Sequence, residues 1–256
     1  MHIPTFKECK GSDTAVVFIH GFMGSPNQLA DLAEAVYAIG CTYKNILLPG
    51  HGGDMREFAC AGYDDWQRHV QKEIEKIRSD YSKIFLVGHS MGGLLALNAS
   101  TIRANNIAGA VLIATPLKVY TLAPKSVLLK IRLLLYPKSN EIKSSYLNAC
   151  SVSQVKFPIY PQAVKTIREF YKLINRTQKH LGDVFVPIYM FHSKNDETTS
   201  YKSAALLYDG LCNTKRESFT LDKSWHAFYD GGEREIVKEK LVEFIWLYRE
   251  SHLRNE

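Results

Sequence analysis

Lys83-Ile84-Phe85-Leu86-Val87-Gly88-His89-Ser90-Met91-Gly92-Gly93-Leu94-Leu95-Ala96 decides the fold of this 256-residue chain. It sets a serine between glycines, where an apolar β-type run gives way to an apolar helix-type run. In that strand–turn–helix context a G-x-S-x-G sequence forms a nucleophile elbow. The turn has to lift the serine hydroxyl above the sheet in a sparsely populated backbone conformation. Glycines at 88 and 92 permit it, because a Cβ at either place would strike the neighbouring strand or helix. The amide of Met91, at the helix start, then points toward the same space as the Ser90 hydroxyl.

Outward from this segment, apolar β-branched runs recur with helix-like segments between them, the pattern of a mostly parallel sheet covered on both faces. Strands are predicted at Thr14–His20, Asn45–Leu48, Lys83–Gly88, Gly109–Ala114, Pro187–His192 and Glu217–Leu221. An early strand near Pro4–Cys9 is expected to pair beside the first of these. Ser25 as N-cap, Pro26 and a terminating Gly40 frame one helix. A second begins near Asp64 or Asp65, with Tyr63, Trp66, Val70, Ile74 and Ile77 in phase. A last helix over about Glu233–Ser251 carries Ile236, Val237, Leu241, Phe244, Ile245 and Tyr248.

The alternation breaks once, between Pro116 and Gly182. A basic amphipathic segment (Ser126–Tyr136), a Ser/Asn/Lys-rich stretch and a helix near Ala163–Thr177 stand where a core strand would otherwise follow. The expected organisation is therefore a core of residues 1–115 and 183–256, with a helical cap inserted at 116–182. The net charge of +6 is concentrated there: the insertion holds twelve Lys/Arg against two acids, and the rest of the chain 20 against 24. Basic charge confined to one insertion argues against nucleic acid. It leaves two readings, an ordinary solvated face or attraction toward anionic substrates or anionic membrane surfaces. The five cysteines are scattered and without C-x-x-C spacing, against a disulfide framework or zinc site. With an N-terminus lacking a signal-type apolar stretch, they point to the cytoplasm.

A serine hydroxyl near neutral pH needs a base, and the base needs an orienting acid. Asp196 follows the buried run Pro187–Ser193 and so sits at a strand's carboxyl end, where open α/β sheets place their sites. Glu197 and Asp183 are its rivals. Downstream only His226 and His252 remain, and His226 follows the last strand directly, on a loop able to return over Ser90. Backbone-shaping roles suit His20, His51 and His89 better. Oxyanion donors are expected from the amides of Met91 and of Phe22, in the glycine-flanked turn His20-Gly21-Phe22-Met23-Gly24. The turn Leu48-Pro49-Gly50-His51-Gly52-Gly53 is expected to shape the pocket rim. It lacks the lysine and spacing of a phosphate-binding loop.

The runs FIHGFMGSP, LPGHG, VGHSMGG, HSKND and SWH together resemble the small bacterial carboxylesterases and monoacylglycerol lipases of the α/β-hydrolase superfamily. The resemblance implies the α/β-hydrolase fold, with Ser90 as nucleophile, Asp196 and His226 as relay partners, and Phe22 and Met91 as oxyanion donors. It implies a small-molecule ester substrate and no metal or organic cofactor. Gly21, His51 and Trp225 are candidates for substrate contact, as are Leu128 and Ile131 on the apolar face of the basic segment. Two features depart from relatives: the oxyanion turn is His-Gly-Phe-Met-Gly rather than HGGG, and Glu197 sets a second carboxylate beside Asp196. A thioesterase, a C–C bond hydrolase and a cofactor-free peroxidase share the scaffold. A non-catalytic binding protein should have lost a triad member, and none is missing. Aspartate at the elbow would have pointed to a dehalogenase or epoxide hydrolase.

Overall fold

The computed structural model describes residues 2–120, 128, 132, 135, 138–153 and 163–249. Seven strands, β1 (Thr5–Lys7), β2 (Thr14–Ile19), β3 (Thr42–Ile46), β4 (Lys83–His89), β5 (Ile107–Ile113), β6 (Ile188–Ser193) and β7 (Arg216–Leu221), form one sheet in the order β1-β3-β2-β4-β5-β6-β7. All neighbours are parallel except β1, which runs antiparallel to β3 with Phe6 opposite Lys44. The early strand therefore pairs with β3 at the sheet edge and not beside β2, the position expected from sequence. β2 already has β3 on one side and β4 on the other, so no ladder is left for it.

Side-chain alternation divides the apolar runs between two cores. Ala15, Val17 and Ile19 of β2, Ile84 and Leu86 of β4, Ala110 and Leu112 of β5, and Ile188 and Met190 of β6 face one core. That core is closed by α3 (Tyr63–Glu75) and α4 (Met91–Ser100). Val16 and Phe18, Phe85 and Val87, Val111 and Ile113, and Tyr189 and Phe191 face the other, under α1 (Ala30–Ala38) and α8 (Gly231–Arg249). Burial on both faces explains why the central strands read as unbroken apolar runs.

α4 lies close against the strands for a reason visible in its first turn. A Cβ on Gly92 would sit 1.9 Å from the Ile19 carbonyl oxygen, and one on Gly88 would sit 2.4 Å from the Gly92 oxygen. Only glycine allows the helix to start this near β2 and β4.

Three elements were not anticipated: α2 (Met55–Cys60), α5 (Ser139–Ala149) and α7 (Lys202–Gly210). α2 is short but firmly started, with Asp54 Oδ1 accepting the amides of Arg56 at 2.7 Å and Glu57 at 3.2 Å. Ser25 does precede a helical turn, Pro26–Leu29, yet its hydroxyl donates to the Asn148 carbonyl at 3.4 Å and caps nothing. On α8, Ile236 is exposed, because it lies one residue off the stripe Val237, Leu241, Phe244, Ile245. Within the insertion, α6 (Ala163–Lys179) sends Leu173 and Ile174 into the core beneath α3 and α4.

Candidate active site

The groups of the candidate site come from the carboxyl ends of several strands. β4 leaves its ladder at His89 and α4 starts at Met91, so Ser90 alone makes the turn, at φ 52° and ψ −117°. A side chain with positive φ is strained there. The Ser90 amide, donating to the Ile113 carbonyl at 2.7 Å, and the Gly93 amide, donating to the Ser90 carbonyl at 3.0 Å, hold it.

His226 comes over on the loop between β7 and α8. The Ser90 hydroxyl donates to His226 Nε2 at 3.1 Å, and His226 Nδ1–H donates to Asp196 Oδ2 at 2.8 Å. Asp196 Oδ1 accepts the amides of Thr198 at 2.8 Å and Thr199 at 2.6 Å. One carboxylate oxygen is thus fixed by the backbone after β6, and the other is turned to the imidazole. Burial is the largest single influence on the His226 ring and disfavours its charged form. The charge and hydrogen bond of Asp196, with the charge of Glu197, outweigh it and raise the pKa above the usual 6.5. A serine hydroxyl, an imidazole of raised basicity and a fixed carboxylate in one line can remove a proton from the serine and hold the resulting imidazolium.

The histidine loop is held tightly. Glu233, in the first turn of α8, accepts the amides of Asp222, Lys223 and Ser224 at 2.6, 2.9 and 2.8 Å. His89 Nε2–H donates to the His226 carbonyl at 2.9 Å. Burial pushes the pKa of His89 down to about 3, so it is a neutral donor. Glu197 Oε2 accepts the His226 amide at 3.1 Å, and its Oε1 accepts the hydroxyl of Tyr146 from α5.

Of the rival acids, Glu197 therefore meets the backbone of His226 and not its ring, and Asp183 is engaged by exposed His180 at 2.8 Å. His252 lies outside the described residues.

The turn after β2 stands against the elbow. A Cβ on Gly21 would come within 3.1 Å of Ser90 Cβ, so any side chain there would crowd the serine. The turn closes through the Gly24 amide on the Gly21 carbonyl at 2.9 Å. It is braced from behind by two histidines. His20 Nε2 accepts the Leu48 amide at 3.0 Å, and His51 Nε2 accepts the Met23 amide at 3.1 Å. Burial pushes the pKa of His51 down to about 4, keeping Nε2 an acceptor. The Phe22 amide belongs to this turn, and the Met91 amide opens α4, where the helix itself supplies no acceptor.

Two described helices between β5 and β6, α5 and α6, pack against the same edge. Phe170 of α6 stacks on Phe22 with centroids 4.9 Å apart, and Phe58 meets Phe22 edge-on at 4.8 Å. Trp225 is buried in a cluster with Ile142 of α5 and Phe228. Leu128 is 66% exposed, and Ile131 lies outside the described residues. Sequence reasoning missed Tyr146, Phe170 and Glu233. Only Glu233 carried a usable signal, an acid in the first turn of the last helix.

The Hydrolase_4 family model, described as serine aminopeptidase, S33, matches residues 10–234. The thermostable monoacylglycerol lipase of Bacillus sp. (strain H-257) is 25% identical over 234 residues, 90% of this chain and 89% of that protein. A carboxylesterase of Bacillus subtilis (strain 168) is 22% identical over 237 residues, 92% of this chain and 94% of the other. Among solved structures, one from work on the metagenome-derived lipolytic enzymes LipS and LipT superposes with a TM-score of 0.74 at 21% identity. It covers 95% of this chain and 97% of its own.

Proposed function

This chain belongs to the Hydrolase_4 family and is a carboxylic-ester hydrolase of α/β-hydrolase fold, and from that premise we propose that Ser90 is its nucleophile, acting on esters of short-to-medium acyl chains. His226 removes the Ser90 proton as the hydroxyl attacks the ester carbonyl, and Asp196 holds the imidazole tautomer. The amides of Phe22 and Met91 receive the oxyanion. The alcohol leaves with the proton returned by His226, and water, activated by the same histidine, resolves the acyl-enzyme. The observation that carries this reading is the unbroken line from Ser90 through His226 to Asp196, at 3.1 and 2.8 Å, above a strained elbow.

The insertion, residues 116–182, acts in this reading as the cap over the acyl group. Phe170 against Phe22 supports it; of the two residues expected on the apolar roof, Leu128 is 66% exposed and Ile131 lies outside the described residues. Gly21 leaves room above Ser90, His51 fixes the turn, and Trp225 anchors the histidine loop to the cap. The alternative substrates on this machinery are monoacylglycerols and thioesters. A peripheral contact of the cap with anionic lipid has support in its basic charge and in exposed Leu128, Leu135, Leu147, Val164 and Ile167. Five free cysteines support a reducing, cytoplasmic setting.

A chain-length series of p-nitrophenyl esters, run beside 1-monoacylglycerols and acyl-CoA, tests the assignment. The expected result is turnover of esters that peaks at short-to-medium length. A preference for acyl-CoA, or absence of ester turnover, overturns it.

A further inference from the structure

The second carboxylate beside the triad has no part in the relay, yet it is 3% exposed and fully engaged. Glu197 Oε2 accepts the backbone amide of His226 at 3.1 Å. Oε1 accepts the Tyr146 hydroxyl from α5 and the Thr198 hydroxyl, the latter at 3.1 Å. The carbonyl of the same His226 residue is held by His89 at 2.9 Å. The catalytic imidazole is thus fixed through its own backbone on both sides, from β4 by His89 and from the loop after β6 by Glu197. Burying a carboxylate is costly unless its oxygens are bonded. Here the insertion supplies one of the required donors.

We propose that Glu197 is a positioning residue for His226, which holds the histidine backbone in place, biases the ring by its charge, and is itself completed by Tyr146 of the inserted segment. This rests on the reading of His226 as the general base. The groups facing the imidazole are Asp196 and Glu197 from the β6 loop and His89 from the end of β4, while Tyr229 of its own loop meets the His226 carbonyl. Of these, the two carboxylates are the negative charges, and Asp196 alone touches the ring. Removing the Glu197 charge leaves Asp196 in place and makes the imidazolium less favourable. The phenol of Tyr146 is pushed up by burial and by the Glu197 charge, so it stays a neutral donor throughout the working range.

The test is the pH–rate profile of kcat for wild type, Glu197→Gln, Tyr146→Phe and Asp196→Asn. In Glu197→Gln the acidic limb is expected to move to lower pH by about one unit, with plateau kcat within about tenfold of wild type. Tyr146→Phe keeps the carboxylate charge, so its limb is expected to stay or move upward. An unmoved limb in Glu197→Gln overturns the proposal. Equal downward shifts in Glu197→Gln and Tyr146→Phe also overturn it, since loosening of the loop, and not charge, would then be the cause. A wild-type profile without an acidic limb, or an active Asp196→Asn variant, would instead overturn the triad reading itself.

Discussion

The carboxyl edge of the sheet and the described helices between β5 and β6 that pack on it, α5 and α6, are built on different rules. At the edge, backbone meets backbone: Gly92 lies against the Ile19 carbonyl, Ser90 is strained at positive φ, and three amides converge on Glu233. In the insertion, side chains lean on a finished surface. Phe170 stacks on Phe22, and Ser151 Oγ donates to the Gly24 carbonyl at 2.5 Å, while Leu147 and Ile167 stay exposed. The edge has almost no freedom to change residue type without losing geometry. In the proposed reading the residues between β5 and β6 can vary while the chemistry beneath them is kept, and that is where substrate preference would be set.

The largest effect to expect from this contrast is on folding itself. Gly92→Ala forces a Cβ to 1.9 Å from the Ile19 oxygen, a clash with backbone that no rotamer relieves. Loss of folded, soluble protein is expected, and a wild-type melting temperature would break the argument. Asp196→Asn leaves the edge folded but turns an NH₂ or carbonyl toward His226 Nδ1, favouring the wrong tautomer. A fall in kcat of about 10⁴-fold is expected with an unchanged circular dichroism spectrum. A fall of less than about tenfold would mean that another group orients the imidazole.

Effects on the insertion should be smaller and selective. Phe170→Ala removes the ring stacked on Phe22 and is expected to lower kcat/KM on octanoyl ester about tenfold more than on acetyl ester, since each methylene contact is worth about 0.8 kcal/mol. An equal loss on both substrates would give α6 a purely structural role. The acidic limb of the pH profile adds a subtler check. His226 must be neutral to act as base, and its folded pKa is raised, so activity is present at high pH and falls as pH drops through a value above 6.5. A limb below 6.5 would show that burial, not Asp196, dominates the ring. Smallest of all is Gly182→Ala at the end of the insertion, where the nearest atom to a new Cβ is 4.0 Å away. Stability should change by no more than about 0.5 kcal/mol.

The same contrast governs what the sequence made legible. The central strands read clearly because both faces are buried and the glycines of the elbow have no other explanation. Ser90, Asp196 and His226 followed from their places at strand ends. β1 is legible as a strand but its neighbour is not, since strand pairing depends on which edges are free and no single segment encodes it. α5 went unread because Ser139–Ala149 is polar and buries only Ile142 and Ala149, a signal too thin to separate from a loop. Tyr146 and Phe170 could not be found for a related reason: their partners, Glu197 and Phe22, lie far along the chain, and nothing local marks an aromatic that packs on another element. Ser25 looked like a cap and serves instead as a tie to α5.

The central claim is that Ser90, activated by His226 and Asp196, forms the acyl-enzyme. It is tested most directly by treating the intact protein with a fluorophosphonate probe and mapping the adduct by peptide mass spectrometry. Stoichiometric modification at Ser90, with ester turnover lost in parallel and labelling abolished in Ser90→Ala, is the result this account predicts. Modification of a different serine, or full turnover surviving complete labelling of Ser90, would contradict it.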